Sequence, residues 1–343
     1  MKRFLNTLYI TRHGAHISKE GMTLVVFADG EQLLQISVLT LSGIVCFGGV
    51  SCTPPAMELC SEHGVIISFL SESGRFLGRV VGPVHGNVLL RREQYRIADD
   101  EARSAEVARM FIIGKICNSR QVLMRGARDR KDPEAVNELK AASRRLIQTA
   151  RHIKQSTPAD ELLGKEGDAA KNYFASFNNL ITSPHLEFRF TSRSRRPPLD
   201  CVNSMLSFVY TLLSHDATAA LESVGLDPFV GFFHKDRPGR PGLALDLMEE
   251  FRSILADRIV LSLINLQQVN PKGFTVTESG SVTMDKDTRA TVISAYQKRK
   301  QEEIRHPFLN ENMPAGLLIH AQAMLLARYI RGDLDMYPPF FWK

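Results

Sequence analysis

Asp246 and Glu249 lie three residues apart in the largely apolar stretch Leu243-Ala-Leu-Asp-Leu-Met-Glu-Glu-Phe-Arg252. On a helix that spacing puts both carboxylates on one face, while Glu250 lies about 100° round. Two such acids repel each other unless a cation sits between them or Arg252 neutralises one. A helix that merely carries structural ion pairs would show the same pattern. His234 ends the run Asp227-Pro-Phe-Val-Gly-Phe-Phe and opens the basic loop Lys235-Asp-Arg-Pro-Gly-Arg240. It is either a partner in a hydrogen-bond network or a neutral nitrogen ligand for a metal. Glu166 stands between Gly164 and Gly167, at the expected start of a helix whose buried stripe is Ala170, Tyr173, Phe174 and Phe177. Glycines there let a backbone or a ligand approach closely; equally, a first-turn acid complements the helix dipole.

A histidine with several carboxylates and no cysteine suits Mg²⁺ or Mn²⁺ better than structural zinc. In a basic chain that set fits phosphodiester chemistry, where a divalent ion polarises the phosphate and stabilises the leaving oxygen. No Ser/His/Asp signature, Walker loop or GxGxxG fingerprint competes with it. Formal net charge is +6, a moderate excess whose distribution matters more. Basic residues cluster at 120–130, 189–196 and 235–240, and the middle cluster contains no acid. Local density of this kind binds phosphates by releasing their counterions. In the first cluster, nearby Asp129, Asp132 and Glu134 leave a solvated helix face as an equal reading.

The elements that must position these residues follow from period and punctuation. With 343 residues, 44% hydrophobic and 23% charged, the chain has the makings of two soluble domains. Runs at Thr23–Phe27, Leu33–Leu41, Ile44–Phe47 and Val65–Leu70 are rich in Val, Ile, Leu and Phe. They are separated by Asp29-Gly30, Gly48-Gly49 and Ser73-Gly74, which points to a small β-sandwich rather than a parallel α/β sheet. Residues 55–63 fit one short helix. From Asp99 onward apolar residues recur at three and four, so the boundary is placed near residues 92–100. Asp132-Pro133 opens a helix to about Lys154, and Asp200 caps another over Val202–Leu213. Further helices are expected from Gly242 past Asn265, over 289–303 and over 314–330. The tail, Tyr337–Trp342, is extended and aromatic. No secretory signal or membrane span is evident. The five cysteines lack CxxC spacing, as expected of free thiols in a cytoplasmic protein.

These segments resemble the universal CRISPR adaptation integrase, the endonuclease family that inserts new spacers, over essentially the whole chain. The resemblance rests on Leu5-Asn-Thr-Leu-Tyr9, and on Ser68-Phe-Leu70 with Gly74-Arg75. It continues in Gly164-Lys-Glu-Gly-Asp-Ala-Ala170 with Tyr173-Phe174, in Pro197-Pro198 followed by Asp200 and Asn203, in His234, and in Leu243–Arg252. The ending, Ile304-Arg-His-Pro-Phe308 through Tyr337–Trp342, is similar to the type I-C branch. The resemblance implies an α+β chain: an amino-terminal β-sandwich over 1–95 for dimerisation and partner contact, and an all-α catalytic domain over 96–343. It implies Glu166, His234 and Glu249 as metal ligands, with Asp246 as an auxiliary catalytic acid. The last ligand is commonly Asp in the family, and Glu reaches about one methylene further. Cys201, where proline often precedes the Val-Asn pair, and Val209, replacing a small residue before Tyr210, depart from the pattern on a packing helix.

The same resemblance implies a homodimer, two of which flank a dimer of a small ferredoxin-like partner in a heterohexamer that acts in antiviral defence. Its substrates would be prespacer, repeat and branched DNA. A 3′-hydroxyl would attack a phosphodiester at the leader–repeat junction, with no enzyme-linked intermediate. Tyr173, Arg193, Arg196, Asn203, Lys235, Arg237 and Arg240 are DNA-contact candidates by charge and proximity, and Tyr173 reads equally as a core-facing phenol. A general repair nuclease that needs no partner, and a DNA-binding scaffold with structural carboxylates, share this composition. Repeat-independent cleavage without integration would favour the first; absence of Glu166-dependent Mn²⁺ binding would favour the second.

Overall fold

The computed structural model describes residues 7–41, 43–71, 76–82, 88–154 and 157–342. Leu5-Asn6, the Ser73-Gly74 turn and Gly74-Arg75 lie outside them. The chain divides into two compact units, Met1–Gly86 and Asn87–Lys343.

The amino-terminal unit is strand-rich. It comprises β1 (Thr7–Ile10), β2 (His16–Glu20), β3 (Thr23–Ala28), β4 (Glu31–Ser37), β5 (Gly43–Phe47), β6 (Ser51–Cys52), α1 (Pro54–Glu62), β7 (Ile66–Leu70) and β8 (Phe76–Val80). Asp29 and Gly30 both take positive φ, 53° and 81°. They form the tight β3–β4 turn, in a geometry that suits Asp-Gly. The strands form two four-stranded sheets, ordered β1-β5-β7-β8 and β4-β3-β2-β6. Parallel pairing was not expected, yet β1/β5, β5/β7 and β2/β6 are parallel. The physical reason at β5/β7 is α1, which supplies the crossover that parallel neighbours need. Ile17, Leu24 and Val26 of one sheet share a core with Ile10, Ile44 and Ile67 of the other, and with Leu59 of α1. All five cysteines are free. Burial pushes the Cys46 and Cys60 thiols up to about 12, which makes them packing groups rather than nucleophiles.

The second unit is helical: α2 (Val88–Asp99), α3 (Glu101–Asp129), α4 (Pro133–Arg151), α5 (Ala159–Ala175), α6 (Cys201–Ser223), α7 (Gly242–Met248), α8 (Arg258–Asn265), α9 (Lys286–Gln301) and α10 (Ala315–Ile330). Among the described residues no helix is long and apolar enough to cross a membrane. Side-chain oxygens of Asp100, Asp132, Asp200 and Asp285 cap α3, α4, α6 and α9, each cap worth about 1 kcal/mol. α3 runs through the middle and packs on α4, α5 and α7. α2 spans the expected change of period, so this unit begins ahead of it. Gln94 donates to the carbonyls of Asp227 and Val230 at 2.8 and 2.9 Å, tying α2 to the segment that leads to His234.

Two expectations fail here. The unit is not all-α, because two short antiparallel ribbons interrupt it: β9 (Phe274–Val276) with β10 (Val282–Met284), and β11 (Glu303–Arg305) with β12 (Asn312–Pro314). Three-residue strands are too short to impose a legible period. Nor does one helix run from Gly242 past Asn265. It breaks at Glu249–Phe251 and resumes as a π-helix over Arg252–Asp257 before α8. Such π segments recur at functional sites.

Candidate metal centre

Asp246, on α7, is fully buried and its oxygens are occupied. Oδ2 accepts the backbone N–H groups of Phe232 and Phe233 at 2.7 and 3.0 Å. Oδ1 accepts the His234 N–H at 2.9 Å and lies 2.7 Å from His234 Nδ1. A carboxylate in this position fixes the proton on Nδ1 and turns the lone pair of Nε2 outward. Nε2 makes no hydrogen bond among the described residues. Asp246 thus anchors the 232–234 backbone and orients the histidine.

The loop that carries His234 closes through a backbone-to-backbone approach that only glycine permits. A Cβ at Gly231 would lie 2.6 Å from the Gly242 carbonyl carbon and 2.8 Å from His234 O. One at Gly242 would lie 2.7 Å from the same His234 oxygen. Backbone atoms cannot yield as a flexible side chain can. Gly231→Ala is expected to cost about 1–3 kcal/mol and to loosen His234 as well. Urea unfolding and metal titration of the variant check this; an unchanged midpoint with unchanged affinity would contradict it.

Glu166 does not open its helix. α5 starts at Ala159 with Asp160 and Glu161 in its first turn, so Glu166 projects from the helix interior. A Cβ at Gly164 or Gly167 would meet nothing within 4 Å. These glycines are not needed for packing, and each costs about 1 kcal/mol relative to Ala in a helix interior. Their effect is a bare helix surface beside Glu166.

The residue that joins the segments is Lys115 of α3. Its ammonium pairs with Glu166 Oε1 and lies 2.7 Å from Glu249 Oε2. Arg252 Nη1 donates to Glu249 Oε1 at 2.6 Å, the neutralisation anticipated from spacing. The Glu249, Lys115 and Glu166 side chains are only 4%, 13% and 16% exposed. Burial works to raise the Glu249 carboxyl, but the charges of Arg252, Lys115 and His234 outweigh it and hold the group well below the usual carboxylate range. Glu249 is thus a permanent anion within electrostatic reach of His234. Its Oε2 is buried, with the Lys115 ammonium at 2.7 Å as its partner. Among the described residues no three His, Cys, Asp or Glu side chains form a ready-made cage for an ion; Lys115 stands between the two glutamates.

Residues 8–298 match the family described as CRISPR associated protein Cas1. The chain belongs to the Cas1 family. It is 54% identical over its full length, and that of the relative, to a CRISPR-associated endonuclease Cas1 of Chlorobaculum tepidum. A second relative carrying that description, from Rhodospirillum rubrum, is 49% identical with both chains fully covered. In fold it is similar to a Cas1 protein from Thermotoga maritima, with a TM-score of 0.78 at 21% identity, covering 97% of this chain and 99% of that one. A casposase bound to integration product gives a TM-score of 0.82 at 24% identity, covering 98% and 94%. These structural likenesses speak to the fold alone.

Within this Cas1-family fold the remaining candidates separate by burial. Tyr173 is core-facing: its hydroxyl donates to Asp257 Oδ2 at 2.9 Å, and Tyr210 donates to Oδ1 of the same carboxylate at 2.5 Å. Asn203 is fully buried; it donates to Ser192 O and accepts from Arg193 and from the Ser194 N–H. Arg193 also donates to Ser207 Oγ and lies over the Tyr210 ring. Packing and internal hydrogen bonds occupy Tyr173 and Asn203, whereas Arg193 is half-buried and its Nε has no partner among the described residues. Arg196, Lys235 and Arg237 are exposed and Arg240 is half-buried, which leaves them available. Lys115 and the Gly231–Gly242 approach had no signal in the sequence, since each depends on a partner more than ten residues away.

Proposed function

We propose that this Cas1-family chain is a Mg²⁺- or Mn²⁺-dependent DNA endonuclease and integrase that inserts DNA fragments at a leader–repeat junction. The observation that carries the reading is the convergence of Glu166 and Glu249, from separate elements, on a single positive charge beside the free Nε2 of His234. A divalent ion fits this set: two carboxylates whose facing oxygens are held by one displaceable ammonium, and an imidazole nitrogen. Glu166, His234 and Glu249 would hold the ion, which when bound supplies Lewis-acid polarisation of a scissile phosphodiester. Asp246 holds the histidine in its ligating tautomer, and Arg252 keeps Glu249 ionised. Lys115, displaced from the carboxylates, remains beside them on a flexible stem and can pair with a phosphate oxygen. The relatives' description as CRISPR-associated endonucleases supports the same chemistry.

The reaction is a transesterification in which the 3′-hydroxyl of incoming DNA attacks the target phosphodiester and releases a new 3′-hydroxyl. The chain acts as a homodimer, two of which flank a dimer of a small ferredoxin-like partner, and the segments Ile304–Phe308 and Tyr337–Trp342 support the type I-C branch. The test uses purified chain with Mn²⁺. It should cleave branched DNA, and with the small partner it should join a prespacer into a supercoiled repeat plasmid. Calorimetry should show Mn²⁺ binding that Glu166→Ala abolishes. Mn²⁺ binding that survives this substitution, or joining that survives chelation, would overturn the reading.

A further inference from the structure

The segment Phe340–Trp342 docks on α3 through side-chain-to-backbone hydrogen bonds. The Trp342 N–H donates to Asn118 Oδ1 at 2.8 Å, and Gln121 Nε2 donates to Trp342 O at 3.2 Å. Both partners lie on α3. The Phe340 N–H donates to Glu250 Oε2 at 2.6 Å, and Asn118 Nδ2 donates to Phe340 O at 2.8 Å. The backbone on either side of the indole is therefore fixed.

Two guanidiniums gather on that ring. Arg258, at the start of α8, lies 4.4 Å from the ring centroid, and Arg125 of α3 lies 5.5 Å from it. Among the described residues neither makes an ion pair or a hydrogen bond, although each carries five N–H donors. Arg299 of α9 is within electrostatic reach, with Asp129 and Glu302 as the opposing acids, and Arg299 itself pairs with Glu302. Burial, with the charges of Arg299 and Arg125, pulls Arg258 down to about 10. Cations held together at this cost, with their donor forks unspent, are arranged for an anion. A planar fork stacked on an aromatic face still offers its edge to phosphate oxygens.

We propose that Trp342, Arg125 and Arg258 form a phosphate-binding platform for a DNA strand, separate from the metal centre. This rests on the DNA reading above. Arg125 lies ten residues beyond Lys115 on α3, about 15 Å along the axis at about 1.5 Å per residue and about 80° round it. That span corresponds to about four base-pair steps of B-form DNA. A strand held at the metal centre thus reaches the platform within the same duplex turn. The platform fixes the direction in which DNA leaves the site.

Trp342 is the single tryptophan of the chain, so its emission reports on the platform alone. The full chain is titrated with a labelled branched duplex, following label anisotropy and tryptophan emission together at several salt concentrations. Wild type should show an emission change that saturates with binding. The double variant Arg125→Ala/Arg258→Ala should bind about 10-fold more weakly. Its salt slope should be shallower by about two, one per lost phosphate contact, with calorimetric Mn²⁺ affinity unchanged. Arg125 is exposed, so Arg125→Gln alone guards against a folding defect and should lower the slope by about one. Emission that stays constant while anisotropy saturates, or variants with wild-type slopes, would overturn the platform and leave the enzyme reading standing. Absence of any DNA binding by wild type would overturn both.

Discussion

Substituting His234 by alanine is expected to abolish metal-dependent cleavage and strand transfer while the chain stays folded. The imidazole is half-buried and its loss removes one side-chain hydrogen bond, so the stability cost should stay near 1 kcal/mol. The effect on chemistry is far larger, because Nε2 carries a lone pair beside two carboxylates that share a cation. Loss of a group that only orients a ligand costs about 10–100-fold, and loss of the ligand itself should exceed that. Asp246→Asn separates the two roles. The asparagine oxygen can still accept, but its amide would turn N–H donors toward the amides of Phe232, Phe233 and His234. It should therefore lose about 10–100-fold in activity and also several kcal/mol of stability, as expected when buried donors are left unpaired. Single-turnover cleavage with Mn²⁺, set beside urea midpoints, resolves the pair. If Asp246→Asn were as inactive as His234→Ala but fully stable, Asp246 would be a direct participant and its assignment as a positioning residue would be wrong.

Glu250 should make stability fall as pH rises from about 5 to about 8. This carboxyl is fully buried and accepts from Tyr337 Oη at 2.5 Å, Gln322 Nε2 at 2.9 Å and the Phe340 N–H at 2.6 Å. Burial pushes it up to about 8, against the lowering effect of those three donors. Its folded-state value lies above its unfolded one, so between the two the folded chain binds the extra proton. Stability is then fully present at the acid end, declines through neutrality and levels off above about 8. Glu250→Gln mimics the protonated form and should match wild type near pH 5. It should become more stable than wild type by more than 1 kcal/mol at pH 8.5, read as the gap between urea midpoints. A gap that does not change with pH would show that Glu250 is ionised throughout. Glu250→Ala leaves the tyrosine hydroxyl, the tail amide and Gln322 without an acceptor, and should cost about 3–5 kcal/mol near pH 5, the cost shrinking toward pH 8 because alanine has no proton to lose.

The three chemical segments could be picked out from one chain because their signals are local. Apolar runs, capping aspartates and the Asp29-Gly30 turn located β3, β4, α4 and α6, since each cap or turn is settled within a few residues. The three-residue spacing of Asp246 and Glu249 flagged a helix in need of a cation, and Arg252 does neutralise Glu249. The ligand set itself came from resemblance to a family, not from physical reading of Glu166 or His234.

Tertiary structure decided what those residues do. That two neighbouring acids have opposite duties depends on where the chain breaks after Met248. Asp246 turns toward the backbone amides of residues 232–234, whereas Glu249 turns toward α3. Lys115 lies among apolar neighbours on α3 and becomes part of the site only because α5 and the end of α7 pack on either side of it. Tyr173 and Asn203 looked available by type and were consumed by Asp257, Ser192 and Arg193, as burial demands of polar groups. Glu250 and the aromatic tail carried no mutual signal across nearly ninety residues, yet they bond directly. The reason is the same in each case. Helix caps and turns are fixed by bonds between neighbours in sequence, whereas charge compensation and buried polar satisfaction are settled by whichever groups packing brings together.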